Sequence, residues 1–297
     1  MKILIAGSSG MIGSALRRFF SAAGHEVVRL VRRPVEPGES AHTWDPANGE
    51  LVADAIEGFD AFVNVAGENI GEGLWTAEKK ARIRSSRLDT TRLLAETAAS
   101  LDSPPGVLIN ASAVGYYGNR GDEVLTEESA PGEGFLAELT QQWEAATSPA
   151  VDAGIRVVNT RFGVVVDPKD AGMRKMLPVF RLGLGGVLGD GNQWFSWVTL
   201  TDLVGAVYHA VQEASLSGPV NVVAPEAVTN RGYTKALAAA LHRPALFTVP
   251  AFALRMTFGE MARETLLSSV RAKPAKLVES GYEFQLPRMS EALRHVL

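Results

Sequence analysis

The chain has 297 residues, 46% of them hydrophobic and 21% charged, enough to bury a full core in one large domain or two closely joined ones. A formal charge of -4 and a pI near 5.8 offer no basic field for nucleic acid, and no apolar run reaches the ~20 residues of a membrane-spanning helix. The absence of cysteine excludes disulfides and thiolate chemistry, and without a signal-like leader a cytoplasmic protein is expected, its partner a small molecule and neither nucleic acid nor a membrane.

Residues 2–6 are an apolar run suited to a strand buried on both faces. Gly7, Gly10 and Gly13 follow at equal spacing; Ile12, Leu16, Phe19 and Ala23 then recur at helical intervals, Gly24 ends the helix, and a second strand-like run covers 25–31. In such a strand-turn-helix-strand unit Gly7 permits the tight turn, Gly10 lets the backbone approach a pyrophosphate, and Gly13 lets helix and strand pack closely. Free amides around Ser9, Gly10, Met11 and Ile12 are the expected phosphate ligands, the alternative being a purely structural turn. The second strand runs into Arg32-Arg33-Pro34 with no acid at its tip. An acid there would bind the ribose 2'-hydroxyl of NAD, whereas arginine accommodates the 2'-phosphate of NADP, so NADP(H) is the expected cofactor; the alternative is that both arginines merely face solvent.

The alternation continues with a short third strand at Thr43-Trp44, a fourth over 60–65 followed by "NVAGENI", a helix from about Thr76 to Ala98, a fifth strand over 106–110 followed by "ASAVGYYG", a helix over 135–150, and a sixth strand over 155–160. This pattern predicts an α/β fold, a doubly wound parallel sheet, with a dinucleotide-binding domain over 1–168 continued by 198–224. Glu68 and Asn69 sit at the carboxyl edge of the fourth strand, where a ribose contact and a loop-ordering hydrogen bond are both open. After Pro168 the glycine- and aromatic-rich stretch "RLGLGGVLGDGNQWFSW" reads as a loop with a short hairpin, in which Trp194, Phe195 and Trp197 either wall a pocket or anchor the loop. Thr201 or Asp202 is placed to cap a helix over 203–214, residues 219–223 form a returning strand, and the rest is mostly helical, broken at Pro244, Pro250, Pro274 and Pro287. Residues 169–197 and 225–297 are the expected substrate-binding region. The histidines lack metal-ligand spacing, so no metal is expected.

The ordered set "GSSGMIG", "NVAGENI", "NASAVGYYG", "RFGVVV" and "FSWVTLTDL" resembles the extended short-chain dehydrogenase/reductase superfamily, which includes nucleotide-sugar epimerases. More narrowly, "GENI", "SRLDTTRLL", "LPVFRLGLGG" and "NVVAPEAVTN" resemble its atypical epimerase-family, or sulA-like, branch. The resemblance implies NADP(H) in a Rossmann domain and a C-terminal part that holds substrate against the nicotinamide. It assigns Ser112 to the serine that hydrogen-bonds the reacting oxygen, and Asn64, Val65, Ala66 and Gly67 to the loop beside the adenosine ribose and pyrophosphate. Phe162-Gly163 matches the turn near the nicotinamide, and Ser86-Arg87 falls where relatives often place Asn near the catalytic centre. Relatives carry Tyr-x-x-x-Lys on the helix after the serine; aligning Glu144 with the acid that often follows puts Leu136 and Thr140 there, and neither can exchange a proton as that pair does. Tyr116 and Tyr117 are the phenols close enough to substitute, the alternative being a packing or substrate-lining role. Two classes therefore stand: an NADP(H)-dependent oxidoreductase or epimerase acting on a small carbonyl or hydroxyl compound, and a non-catalytic NADP(H)-binding redox sensor. The assembly is open between monomer and homodimer.

Overall fold

The computed structural model describes residues 1–297. Seven strands, β1 (Lys2–Ala6), β2 (Glu26–Val31), β3 (Ala41–Thr43), β4 (Ala61–Asn64), β5 (Val107–Ala113), β6 (Arg156–Phe162) and β7 (Gly218–Val222), form one parallel sheet in the order β3-β2-β1-β4-β5-β6-β7. The order reverses between β1 and β4, which opens a crevice at the carboxyl ends of those strands. Strand alternation divides the core: Ile3 and Ile5 pack into one layer with Leu16 and Phe20, while Leu4 and Ala6 enter the other with Phe62 and Leu94.

Helix α1 (Met11–Ala22) buries Gly13, Leu16 and Phe20, the spacing that one face of a helix imposes. Helix α2 (Ala77–Ala99) starts at Thr76, whose hydroxyl accepts from Lys79 N, and packs beside α3 (Phe135–Ala145) on the opposite sheet face. The expected helix over 135–150 stops early because Pro149, having no N–H, cannot bond back to residue 145; a separate short helix spans Ser148–Asp152.

Helices α4 (Ala171–Arg181), α5 (Leu200–Gln212), α6 (Asn230–Ala240), α7 (Ala251–Phe258) and α8 (Met289–Val296) follow, with a short helix over Ala275–Glu279 before the last. Thr199, and not Thr201 or Asp202, caps α5, accepting from Asp202 N. Asp202 does different work. Fully buried, its carboxylate accepts from Gln285 N, Leu286 N and Thr199 Oγ1, which straps the C-terminal segment to the sheet domain. The glycine-rich stretch forms no hairpin: Gly186–Leu188 pairs with Phe247–Val249, Trp194–Phe195 with Val228–Thr229, and Trp197–Thr199 with Val164–Val166. Each of its short strands finds a partner remote in sequence. No helix is long and apolar enough to cross a membrane.

Candidate functional site

Gly7 turns the chain out of β1 at φ +81°, and a side chain there would lie 2.6 Å from Ala66 N. At Gly13 a Cβ would lie 2.2 Å from Gly7 O, so helix and turn touch through bare backbone. Gly10 differs: its nearest obstacle is Gly7 O at 3.5 Å, so nothing inside the protein demands glycine there. Gly10 begins α1 without a capping side chain, and the first intrahelical bond to it comes from Ser14 N, so the amides of Met11, Ile12 and Gly13 have no intrahelical acceptor. A helix N-terminus left in this state carries partial positive charge and fits a pyrophosphate.

The two arginines beyond β2 part company. Arg33 and Arg29 both grip Glu39, which holds that carboxyl down at about 2, while Arg32 is exposed and makes no ion pair. Arg32 is thus the cation left unpaired at the end of β2. Arg33 serves to brace the β2–β3 connection.

On the other wall, Asn64 does not point to solvent. Its Nδ2 donates to Asn110 Oδ1 at 3.0 Å and Thr91 Oγ1 at 2.9 Å, and Asn110 donates on to Asn159 at 3.1 Å. The three asparagines are cross-strand neighbours, at the end of β4 and the middle of β5 and β6, forming a buried amide ladder. Asn64 Oδ1 accepts from Ala66 N, so its part is to shape the Val65–Gly67 loop that closes over Gly7. Glu68 likewise orders the loop: its carboxylate meets Lys79 Nζ at 2.7 Å, which lowers its pKa. Beneath Gly67 lies the Arg87 guanidinium, held by the Ile83 and Glu68 carbonyls, and burial pushes its pKa down to about 10. It has no carboxylate partner within ion-pair distance, so a half-buried cation stands under the Val65–Gly67 loop.

Ser112, the next-to-last residue of β5, lies directly opposite Arg161 of β6. Its Oγ donates to Glu144 Oε1 at 2.6 Å, and Glu144 is gripped by Arg161 through Nε and Nη2, each at 2.8 Å. Burial disfavours the Arg161 charge, but the Glu144 and Tyr117 contacts outweigh it and its pKa is raised. Tyr116 stacks its ring on that guanidinium at 3.5 Å and its hydroxyl makes no hydrogen bond within the chain. Tyr117 overturns the expectation of a pocket phenol. It is 0% exposed, its hydroxyl donates toward Asn221 Oδ1 and Thr126 O, and burial pushes its pKa up to about 12. On the short 3-10 turn Val114–Tyr117, neighbouring residues face different ways, and of the two tyrosines the inward one is Tyr117.

The positions of the missing pair are packed over. Leu136 lies against Gly115 of that turn, and Thr140, 3% exposed, returns its hydroxyl to the Leu136 carbonyl. Gly134, at φ +104°, supplies no cap for α3; Glu264 supplies one from the C-terminal segment, accepting from Leu136 N at 3.2 Å. A cleft of about 630 Å³ opens there between the starts of α2 and α3 and residues 260–264. Phe162 is buried, while Gly163 brings β6 so close to residue 196 that a Cβ would lie 2.9 Å from Ser196 O. Of the aromatic group, Trp197 is in the core and Phe195 leans on Tyr233, so both anchor the loop.

Residues 3–224 match the model of the NAD dependent epimerase/dehydratase family, and residues 249–296 match a domain of unknown function (DUF1731). The chain belongs to the NAD dependent epimerase/dehydratase family. It is 45% identical over 291 residues to epimerase family protein MT2273 of Mycobacterium tuberculosis, covering 98% of this chain and 96% of that one. Human epimerase family protein SDR39U1 is 35% identical over 300 residues, with both chains fully covered. A crystal structure of the human protein with NADPH superposes with a TM-score of 0.90 at 34% identity, covering 100% of this chain and 99% of that one. Sequence reasoning did not assign roles to Arg161, Asn110, Asn159 and Glu264; the one local signal was Arg161 in the "RFGVVV" motif, directly across from Ser112.

Proposed function

We propose that the protein is an NADP(H)-dependent oxidoreductase or epimerase acting on a small carbonyl or hydroxyl compound. The observation that carries this is the uncapped start of α1, open at Gly10, with the unpaired Arg32 beyond β2. NADPH in the human relative supports the same choice. NADP(H), when bound, takes up or delivers hydride. The chain's own part is the proton. Because the Ser112 hydroxyl already donates to Glu144, its lone pairs are left to accept from a substrate hydroxyl. As a substrate alcohol is oxidised, its proton passes to Ser112 Oγ while the Ser112 proton moves to the Glu144 carboxylate; reduction runs the same transfers backwards. Arg161 fixes the carboxylate, and Tyr116 flanks it with an uncommitted phenol.

A screen of aldehydes, ketones and nucleotide sugars, followed through cofactor oxidation, tests the reading. Ser112→Ala then lowers turnover by about 1.5–3 kcal/mol, roughly ten- to a hundredfold, with NADPH affinity unchanged. Unchanged turnover refutes the role of Ser112. The second reading, a redox sensor, is favoured by one observation: Leu136 and Thr140 fill the proton-relay positions with packing. Tight NADPH binding with no turnover across the screen, and a macromolecular partner gained or lost with cofactor redox state, decides for the sensor.

A further inference from the structure

Residues 171–185 and 241–258 contain five Lys or Arg and no Asp or Glu, in a chain whose net charge is -4. All five (Arg174, Lys175, Arg181, Arg243 and Arg255) are exposed, and none forms an ion pair. The same two stretches hold eight of the 17 large apolar side chains that the protein leaves exposed. They are adjacent in space: Gly186–Leu188 pairs with Phe247–Val249, and Arg243 Nε donates to Arg181 O at 2.9 Å. Scattered single apolar residues are ordinary on a surface; a cluster interleaved with unpaired cations is not.

The side chains protrude. Leu246 is 85% exposed, Met256 83%, Leu182 74% and Phe252 66%. On α7 Phe252 and Met256 lie one turn apart on the outer face, with Arg255 between them and Leu254 turned inward. We propose that this face docks on the surface of an anionic phospholipid bilayer, with the apolar tips in the acyl boundary and the cations among the headgroups. A second copy offering the same face is disfavoured, since a two-fold contact sets five cations against five. An acidic protein groove would satisfy the charge, but anchoring side chains for a groove are few and converge, whereas here they spread over a loop, a strand and a helix. The sequence-level expectation of no membrane partner rested on the lack of a spanning segment, and surface docking needs none. The face borders the crevice, since Lys175 Nζ reaches Gly71 O at 3.0 Å on the loop that follows β4.

Flotation of the full-length protein with vesicles of phosphatidylcholine alone, and of phosphatidylcholine mixed with phosphatidylglycerol, tests the proposal. Binding is expected only to the mixed vesicles and falls as salt rises. Leu246→Asp with Met256→Asp, and separately Arg174→Glu with Arg255→Glu, each weaken it by about tenfold or more while melting temperature and NADPH affinity hold. The proposal is overturned if no vesicle binding occurs at low salt, whether the face then captures an acidic peptide or a second copy. It is equally overturned by binding that both double variants retain.

Discussion

Replacing Gly10 and Gly13 separately by alanine distinguishes a glycine kept for the ligand from one kept for the fold. At Gly13 the new Cβ would sit 2.2 Å from Gly7 O and 2.8 Å from Ser8 Cα, and these are backbone atoms that yield only if the turn moves. Overpacking of this kind costs about 2–3 kcal/mol, which in a chain of this length lowers the melting temperature by roughly 3–5 °C. At Gly10 the backbone is extended (φ -70°, ψ 171°), open to any residue, and the nearest heavy atom is at an ordinary 3.5 Å. The entropy gained by removing glycine, about 0.4–1 kcal/mol, offsets the poorer capping of alanine, so the melting temperature should move by no more than about 2 °C. The only atom near the methyl group, beyond its chain neighbours, is Gly7 O, so it enters the space beside the turn that a bound pyrophosphate would use. Displacing a pyrophosphate from one or two charge-assisted hydrogen bonds costs about 1.5–3 kcal/mol, roughly ten- to a hundredfold in NADPH affinity. Thermal melts without cofactor, paired with calorimetric titration, read both quantities. The reasoning fails if Gly10→Ala melts as low as Gly13→Ala, or if it binds NADPH like the unmodified protein.

Arg32→Ala should weaken NADPH by about tenfold and leave NADH unaffected, whereas Arg33→Ala should alter neither by more than about twofold; parallel titrations of the four combinations check this. Tyr117→Phe removes a buried donor from Asn221 and Thr126, so stability should fall by about 1–2 kcal/mol in denaturant unfolding while NADPH affinity and any turnover persist. Glu39, held down at about 2 by Arg33 and Arg29, contributes stability that is fully present above the ordinary carboxylate range and is lost as pH falls from there toward 2. Side-chain carboxyl shifts followed by NMR should therefore show Glu39 still ionised at pH values where isolated glutamates are half protonated; a normal midpoint would mean that the double arginine grip does not form in solution.

The sheet and the first turn were legible because local periodicity specifies them. Buried parallel strands are continuous apolar runs, and Gly7, Gly10 and Gly13 punctuate them at a spacing that one motif explains. The site was legible only in part, because its polar contacts join residues far apart in the chain. Nothing near Asn64 predicts a ladder through Asn110 to Asn159, and nothing near Ser112 announces a bond to Glu144. Adjacent tyrosines on a 3-10 turn have equivalent sequence surroundings; only the packing of Asn221 and Arg161 around Tyr117 decides which turns inward. The short strands of 186–199 were missed as pairs for the same reason, since each lies beside a segment that the chain reaches much later or left much earlier.

The strap at Asp202 limits how this chain can be cut or recombined. The two stretches matched by family models, 3–224 and 249–296, look like exchangeable parts. Yet the acid buried in the first takes two of its donors from the peptide groups of residues 285 and 286 in the second. Truncation after the first stretch removes two of the three donors to that carboxylate and uncovers the core layer on which Leu277, Tyr282 and Phe284 pack, a loss of several kcal/mol and a large share of a typical domain's whole stability. A chimera between relatives would inherit the same obligation, because the grafted tail must present two amides at the depth where the recipient keeps its acid. A substitution that loosens the tail is therefore felt in the first turn of α5.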